Sequence, residues 1–224
     1  MNNWQQFCKR SFDICLALLG LILFSWLILI CWLISTIDTK HNGFYTQKRV
    51  GKNSKIFKII KIRTMRSVKG VTSDFTIRGD PRVTQFGAVL RKFKLDELPQ
   101  LFNVLMGKMS FVGPRPDVVG FADKLQGDDR IILSLRPGIT GPATLFFRNE
   151  EELLAACEDP ERFNREIVFE TKIKINRQYI REYSFFKDMM YVVATLVPGF
   201  RKKLMSEIES LTERQVLDLN NAHK

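Results

Sequence analysis

Asp96 and Glu97 are adjacent carboxylates in the segment Arg91-Lys92-Phe93-Lys94-Leu95-Asp96-Glu97-Leu98-Pro99. An acidic pair is common at a helix start, where free backbone N–H groups and the helix dipole stabilise it, so the pair alone says little about chemistry. Its setting says more. Pro99 suits the first turn of a helix and not its middle, which puts the pair at or just before a helix N-terminus. Arg91, Lys92 and Lys94 would hold an aspartate ionised and draw in an anion. A helix start also receives phosphate. An ionised aspartate among cations and phosphate can attack phosphorus or hold Mg²⁺. Other cations are patterned toward the same end. Phe57, Ile59, Lys61 and Arg63 share one side of a strand at period two, and two cations on one strand face can grip a phosphate together. Arg115 and Arg136 sit beside prolines. Each either presents a guanidinium to phosphate oxygens or braces its loop on carbonyls.

Composition removes several alternatives. There are only two histidines, His41 and His223, which argues against a Ser-His-Asp triad and a multi-histidine zinc site. Cys8, Cys15, Cys31 and Cys157 form no CxxC pair, and two lie in an apolar run, as expected in a reducing compartment and not in a disulfide scaffold. The net charge of +11 favours an anionic partner: nucleic acid, acidic lipid headgroups or a phosphorylated small molecule.

The elements that must carry these residues follow from periodicity. Ile14 to Ile34 is apolar except for Gly20 and Ser25. As a helix it would be about 30 Å long, enough to cross a bilayer core. Lys9 and Arg10 precede it, and Lys40, Lys48, Arg49, Lys52 and Lys55 follow it. Cations on both flanks favour both ends in the cytoplasm, as in a hairpin that enters and leaves on one face; composition leaves a plain span equally open. Ser25 is the candidate bend. Residues 44–51 and 55–65 read as two strands around a Gly51-Lys52-Asn53-Ser54 turn. Helical spacing covers Phe86 to Leu95, resumes after Pro99 and closes at Gly107. Two stiff loops follow, 112–116 and 136–142. Residues 150–156 and 162–183 read as polar helices. Phe185 to Val197 is an apolar band that is either core or membrane interface, and the tail from Arg201 reads as a loose helix.

Together these residues resemble the monotopic phosphoglycosyl transferases, a bacterial sugar transferase family. The matching strings are Lys9-Arg10-Ser11-Phe12-Asp13, Gln47-Lys48-Arg49-Val50-Gly51, Phe57 with Lys61-Ile62-Arg63-Thr64-Met65, and Asp80-Pro81-Arg82-Val83-Thr84. They continue through Leu90-Arg91, Leu95-Asp96-Glu97-Leu98-Pro99-Gln100-Leu101, Asn103-Val104-Leu105, Gly107, Met109-Ser110-Phe111-Val112-Gly113-Pro114-Arg115-Pro116 and Arg136-Pro137-Gly138-Ile139-Thr140-Gly141, to Ser184 and Asp188. The resemblance spans about residues 7 to 197, in the short form of the family with the catalytic domain only.

What the resemblance implies is specific. The fold would be mainly α with a small β-hairpin, a membrane-associated monotopic domain with an N-terminal re-entrant helix and interfacial amphipathic helices. Residues 1–38 would be the re-entrant helix, 39–200 the cytoplasmic catalytic domain and 201–224 a helical tail. Asp96 would attack the β-phosphate of a UDP-sugar, release UMP and carry the phosphosugar to polyprenyl phosphate in a ping-pong sequence that starts a bacterial surface glycoconjugate. Glu97 would be its partner in the dyad, and Asp96 and Glu97 would meet Mg²⁺. Lys61, Arg63, Arg91, Arg115 and Arg136 would bind substrate. The implied partners are UDP-sugar, polyprenyl phosphate and membrane lipids at the cytoplasmic face of the inner membrane, with monomer and homodimer both open and nucleic acid not among them. The sequence departs from the family pattern at Ser25-Trp26, where Ser-Pro is usual, at Pro142-Ala143-Thr144, and at Asn176, often Asp. The competing readings are a membrane-tethered nucleic-acid module built on Phe44, Tyr45 and Phe57 among the basic residues, and an inactive scaffold of the same fold.

Overall fold

A computed structural model of the chain describes residues 1–67, 79–197, 199–201 and 204; the tail expected from Arg201 lies almost wholly outside these residues. The first element, α1, runs unbroken from Asn3 to Thr39. Asn2 caps it: its side chain accepts from the Gln5 N–H, and the Gln5 side chain accepts from the Asn2 N–H. Lys40, in the left-handed region at φ 57°, ends it. The bend expected at Ser25 does not interrupt the helix. The helix does change there in another way. Ile22 to Trp26 are exposed on every face, whereas Ala17 on one side and Ile28 and Cys31 on the other are buried.

Apolar packing along its length and polar fastenings at both ends hold α1 to the rest of the chain. Ala17 packs with Phe57, Ile59, Val104 and Met109, and Ile28 and Cys31 pack with Ile62 and Leu90. At the N-terminal end Lys9 pairs with Asp188 at 2.5 Å, and Arg10 donates to the Val104 and Leu105 carbonyls. The Asp13 carboxylate accepts from the Ser110 hydroxyl at 3.0 Å and the Phe111 N–H at 2.9 Å. At the C-terminal end Ser35 donates to the Arg63 carbonyl, and Arg66 pairs with Asp38 at 2.7 Å. Both ends of the helix are therefore fixed to one body.

The hairpin forms as its alternation requires. β1 (Phe44–Val50) pairs antiparallel with β2 (Ile56–Ile62), Phe44 opposite Ile62 and Val50 opposite Ile56. Phe57, Ile59 and Ile62 turn into the core. Next come α2 (Gln85–Lys92), capped by Thr84, and α3 (Gln100–Leu105), both shorter than the helical spacing suggests. The stiff loops hold an element that proline and glycine content conceals. β3 (Ser110–Val112) and β4 (Gly138–Thr140) pair in parallel, and a Cβ on Gly138 would lie 2.2 Å from the Gly113 nitrogen, so the two backbones can cross only without it. Short helices α4 (Pro142–Phe146), α5 (Glu150–Ala155) and α6 (Pro160–Phe163) follow. A π-helical segment, Asn164–Phe169, leads into α7 (Glu170–Arg181). α8 (Phe185–Leu196) divides its apolar band: Tyr191 and Ala194 enter the core, while Phe186 and Leu196 are 72% and 76% exposed.

Asp13 is the fastening whose loss leaves most behind, because a buried hydroxyl and a buried N–H lose their acceptor together. Asp13→Ala is expected to lower stability by about 2–4 kcal/mol, read from denaturant unfolding of the detergent-solubilised protein. A loss under about 0.5 kcal/mol would mean that Ser110 and Phe111 are otherwise satisfied.

Candidate active site

The dyad stands in the connection between α2 and α3. α2 stops at Lys92, and Lys94 turns the chain in the left-handed region (φ 57°, ψ 23°). Leu95–Glu97 then form a single 3₁₀ turn in which Asp96 and Glu97 are both buried. The pair thus precedes a six-residue helix, and the turn places it more than any helix dipole does. Asn103 on α3 sets the distance to the hairpin: its amide accepts from the Ile60 N–H and donates to the Lys58 carbonyl. That clasp brings Lys61 of β2 against Glu97, Nζ to Oε1 at 3.1 Å.

Arg115 reaches the same Glu97 oxygen from a different element, at 3.0 Å. Its loop is held on both flanks. The Gly113 N–H donates to the Thr140 carbonyl, the Gly138 N–H to the Pro114 carbonyl, and the Val50 N–H to the Asp117 carbonyl. Arg49 adds a longer contact to the Pro116 carbonyl at 3.3 Å.

Neighbouring carboxylates therefore have opposite environments. Burial opposes the charge of Glu97, but Lys61 and then Arg115 overcome it and hold the group well below the usual carboxylate range. Asp96 is raised, by burial first and by the Glu97 charge second; Lys61, Lys94 and Arg91 offset this only in part. The sequence argument, that cations and a helix start keep Asp96 ionised, underestimates those two opposing effects. Asp96 Oδ1 is buried and has no hydrogen-bond partner. Glu97 in turn keeps Arg115 protonated, its pKa raised above the ordinary value.

The other expected residues divide. Arg91 donates to the Thr64 hydroxyl at 3.2 Å and lies close enough to act on Asp96. Arg63 does not join Lys61 in a shared grip: its guanidinium donates to the Asn42 carbonyl and lies over the Tyr45 ring at 5.4 Å, because β2 ends at Ile62 and the chain turns away. Arg136 takes the bracing role, donating to the Gly107 carbonyl at 2.9 Å. The aromatic residues of the nucleic-acid reading are taken up by the protein itself: Phe57 is buried, Phe44 stacks on Trp32, and Tyr45 lies under Arg63.

Sequence reasoning missed Asp117. Its carboxyl is pushed up to about 6 by burial, against the pull of Lys172 and Arg49. Its position directly after the Pro-Arg-Pro string that carries Arg115 was the available signal. Among the described residues no three His, Cys, Asp or Glu side chains converge as a metal cage. Mg²⁺ does not need one: it takes one or two carboxylates and completes its shell with water and substrate phosphate. The unpartnered Asp96 oxygen beside Glu97 fits that donor set.

A buried carboxylate with one free oxygen, next to a second that gathers two cations, suits a phosphorylated anionic substrate. Comparison with known proteins gives the class. Residues 4–202 match the model of the bacterial sugar transferase family. The exopolysaccharide production protein ExoY of Rhizobium meliloti is 35% identical over 205 residues, 84% of this chain and 83% of ExoY. A UDP-N-acetylgalactosamine-undecaprenyl-phosphate N-acetylgalactosaminephosphotransferase of Aeromonas hydrophila is 34% identical over 87% of this chain and 44% of its own length. An undecaprenyl-phosphate galactose phosphotransferase of Salmonella typhimurium is 31% identical over 85% of this chain, which spans 40% of that relative. The chain belongs to the bacterial sugar transferase family and is a transferase.

Asp117 supplies a pH test. Its folded value lies above the unfolded one of 3.8, so the folded state binds the proton more tightly. Its contribution to stability is fully present below pH about 4 and is lost as pH rises through about 6. Asp117→Asn is expected to melt higher than wild type at pH 8, with the difference closing by pH about 4. A difference of constant size across that range would contradict the assignment.

Proposed function

We propose that the chain transfers a sugar 1-phosphate from a UDP-sugar to polyprenyl phosphate, giving a polyprenyl diphosphate sugar and UMP in the first membrane step of a bacterial polysaccharide pathway. The observation that carries this reading is the free, buried oxygen of Asp96 beside the Lys61–Glu97–Arg115 cluster. In this reading the Asp96 carboxylate oxygen forms a bond to the β-phosphorus, and the bond from phosphorus to the UMP oxygen breaks. UMP leaves with the electron pair. A phosphate oxygen of the acceptor then attacks the same phosphorus and returns the carboxylate. The raised pKa of Asp96 makes it a better nucleophile once ionised. Lys61 and Arg115, held by Glu97, stabilise the charge that develops on the phosphoryl oxygens. Asp96 and Glu97 would hold Mg²⁺, which supplies charge neutralisation of the diphosphate.

The membrane reading rests on α1. A plain span with the catalytic body on one side would carry one helix end away from that body, yet both ends are fastened to it. Between them Ile22 to Trp26 are exposed on all faces. A helix that enters the cytoplasmic leaflet and returns satisfies both observations, its free middle in lipid and its ends on the body. The exposed Phe186 and Leu196 of α8 would lie in the interface. In this reading residues 1–38 form the helix whose middle enters the membrane, and residues 39–200 carry the chemistry.

Incubation with Mg²⁺ and a panel of UDP-sugars, without lipid, should yield a phosphosugar adduct on Asp96 by mass spectrometry and one equivalent of UMP. Asp96→Asn should give no adduct and lose at least about 10³-fold in turnover. Release of UMP only when polyprenyl phosphate is also present, with no adduct, would replace the two-step reading by direct attack of the acceptor.

A further inference from the structure

We propose that Lys94 is the phosphate anchor for the lipid acceptor, with Phe93, Phe102 and Met106 as the track for its apolar chain. This rests on the transferase reading and adds the residues that would recognise the second substrate. Lys94 is exposed, and among the described residues it makes no ion pair. By contrast Lys61 and Arg115 are both engaged with Glu97, one from the hairpin and one from the β3–β4 loops. Lys94 comes from the α2–α3 connection, two residues before Asp96, and acts electrostatically on both carboxylates. The acceptor brings a further phosphate to Asp96, and Lys94 is an exposed cation beside that residue which Glu97 does not engage.

The surroundings specify a lipid. Phe93 is 63% exposed and Met106 56%, with Phe102 and Val89 also exposed. These residues belong to α2, α3 and their connection, and both helices pack on α1. α1 exposes apolar residues of its own, Leu19, Ile22 and Leu23 among them. An acceptor whose apolar chain lies against Phe93 and the exposed residues of α3 would bring its phosphate to the connection that carries Lys94. The backbone sharpens the argument: Lys94 holds a left-handed conformation that a side chain disfavours and glycine accepts freely. The turn itself therefore does not call for a lysine.

That conformation also provides a clean variant. Lys94→Gly removes the ammonium and relieves the backbone, so it should fold at least as stably as wild type. Its KM for undecaprenyl phosphate should rise about tenfold, the loss of one charge-assisted contact, while KM for the UDP-sugar changes less than twofold. Lys94→Arg should restore most of the acceptor KM. Phe93→Ala should raise KM for undecaprenyl phosphate more than for geranyl phosphate. Equilibrium binding of undecaprenyl phosphate to the detergent-solubilised protein, with undecaprenol as control, should weaken in Lys94→Gly for the phosphate alone. An unchanged acceptor KM, or a rise in donor KM instead, would overturn the proposal. If the wild type releases no UMP from any UDP-sugar, the transferase reading fails by itself; the binding measurement then decides Lys94, and equal affinity of wild type and Lys94→Gly overturns it.

Discussion

The fastening of α1 at both ends to one body is the constraint on which the rest of the structure depends. Lys9, Arg10 and Asp13 tie its start to α8, α3 and β3, and Ser35 and Asp38 tie its end to the segment leaving β2. The elements fastened in this way are those that carry the site. Asp13 holds the strand that leads to Arg115. Ala17 packs on Val104 of α3, next to Asn103, which clasps the hairpin that carries Lys61. A buried polar contact is specific in a way that apolar packing is not, because a shifted register leaves its groups unpaired. The helix therefore sets the site's framework.

Within that framework the two carboxylates divide the work. Like charges side by side cannot both be ionised without cost, and the environment settles which one keeps its charge. Glu97 pairs with Lys61 and Arg115 and stays ionised. Asp96 is left raised, with one oxygen free. Without Glu97, Lys61 and Arg115 would have no common point to converge on.

Much of this was legible in the sequence, for identifiable reasons. The hairpin appeared within a few residues of its limits because alternation and the Gly51–Ser54 turn are local signals. The dyad stood out through its adjacent acids, the flanking cations and Pro99. The parallel β3–β4 pair was missed because three-residue strands rich in glycine and proline carry no periodicity, and their pairing is a contact between loops far apart in the chain. Arg63 was misplaced since period two holds only while the strand lasts, and β2 ends one residue earlier. Arg136 and Arg115 looked alike beside their prolines. Only the tertiary structure shows that one meets a carbonyl and the other a carboxylate. Asp117 follows the Pro-Arg-Pro string directly, but its altered acidity comes from burial in the folded protein, which Lys172 and Arg49 offset only in part, and that burial has no local pattern in the sequence.

The central claim is that one helix enters and leaves the membrane on the same side as the catalytic body. Single cysteines at Gln5 and at His41, in a background with Cys8, Cys15, Cys31 and Cys157 replaced by serine, report on its two ends. Treated with a membrane-impermeant maleimide, both should stay unlabelled in intact cells and both should react once the inner membrane is opened. Labelling of either position from the periplasm in intact cells, with the other protected, would establish a plain span and contradict the account.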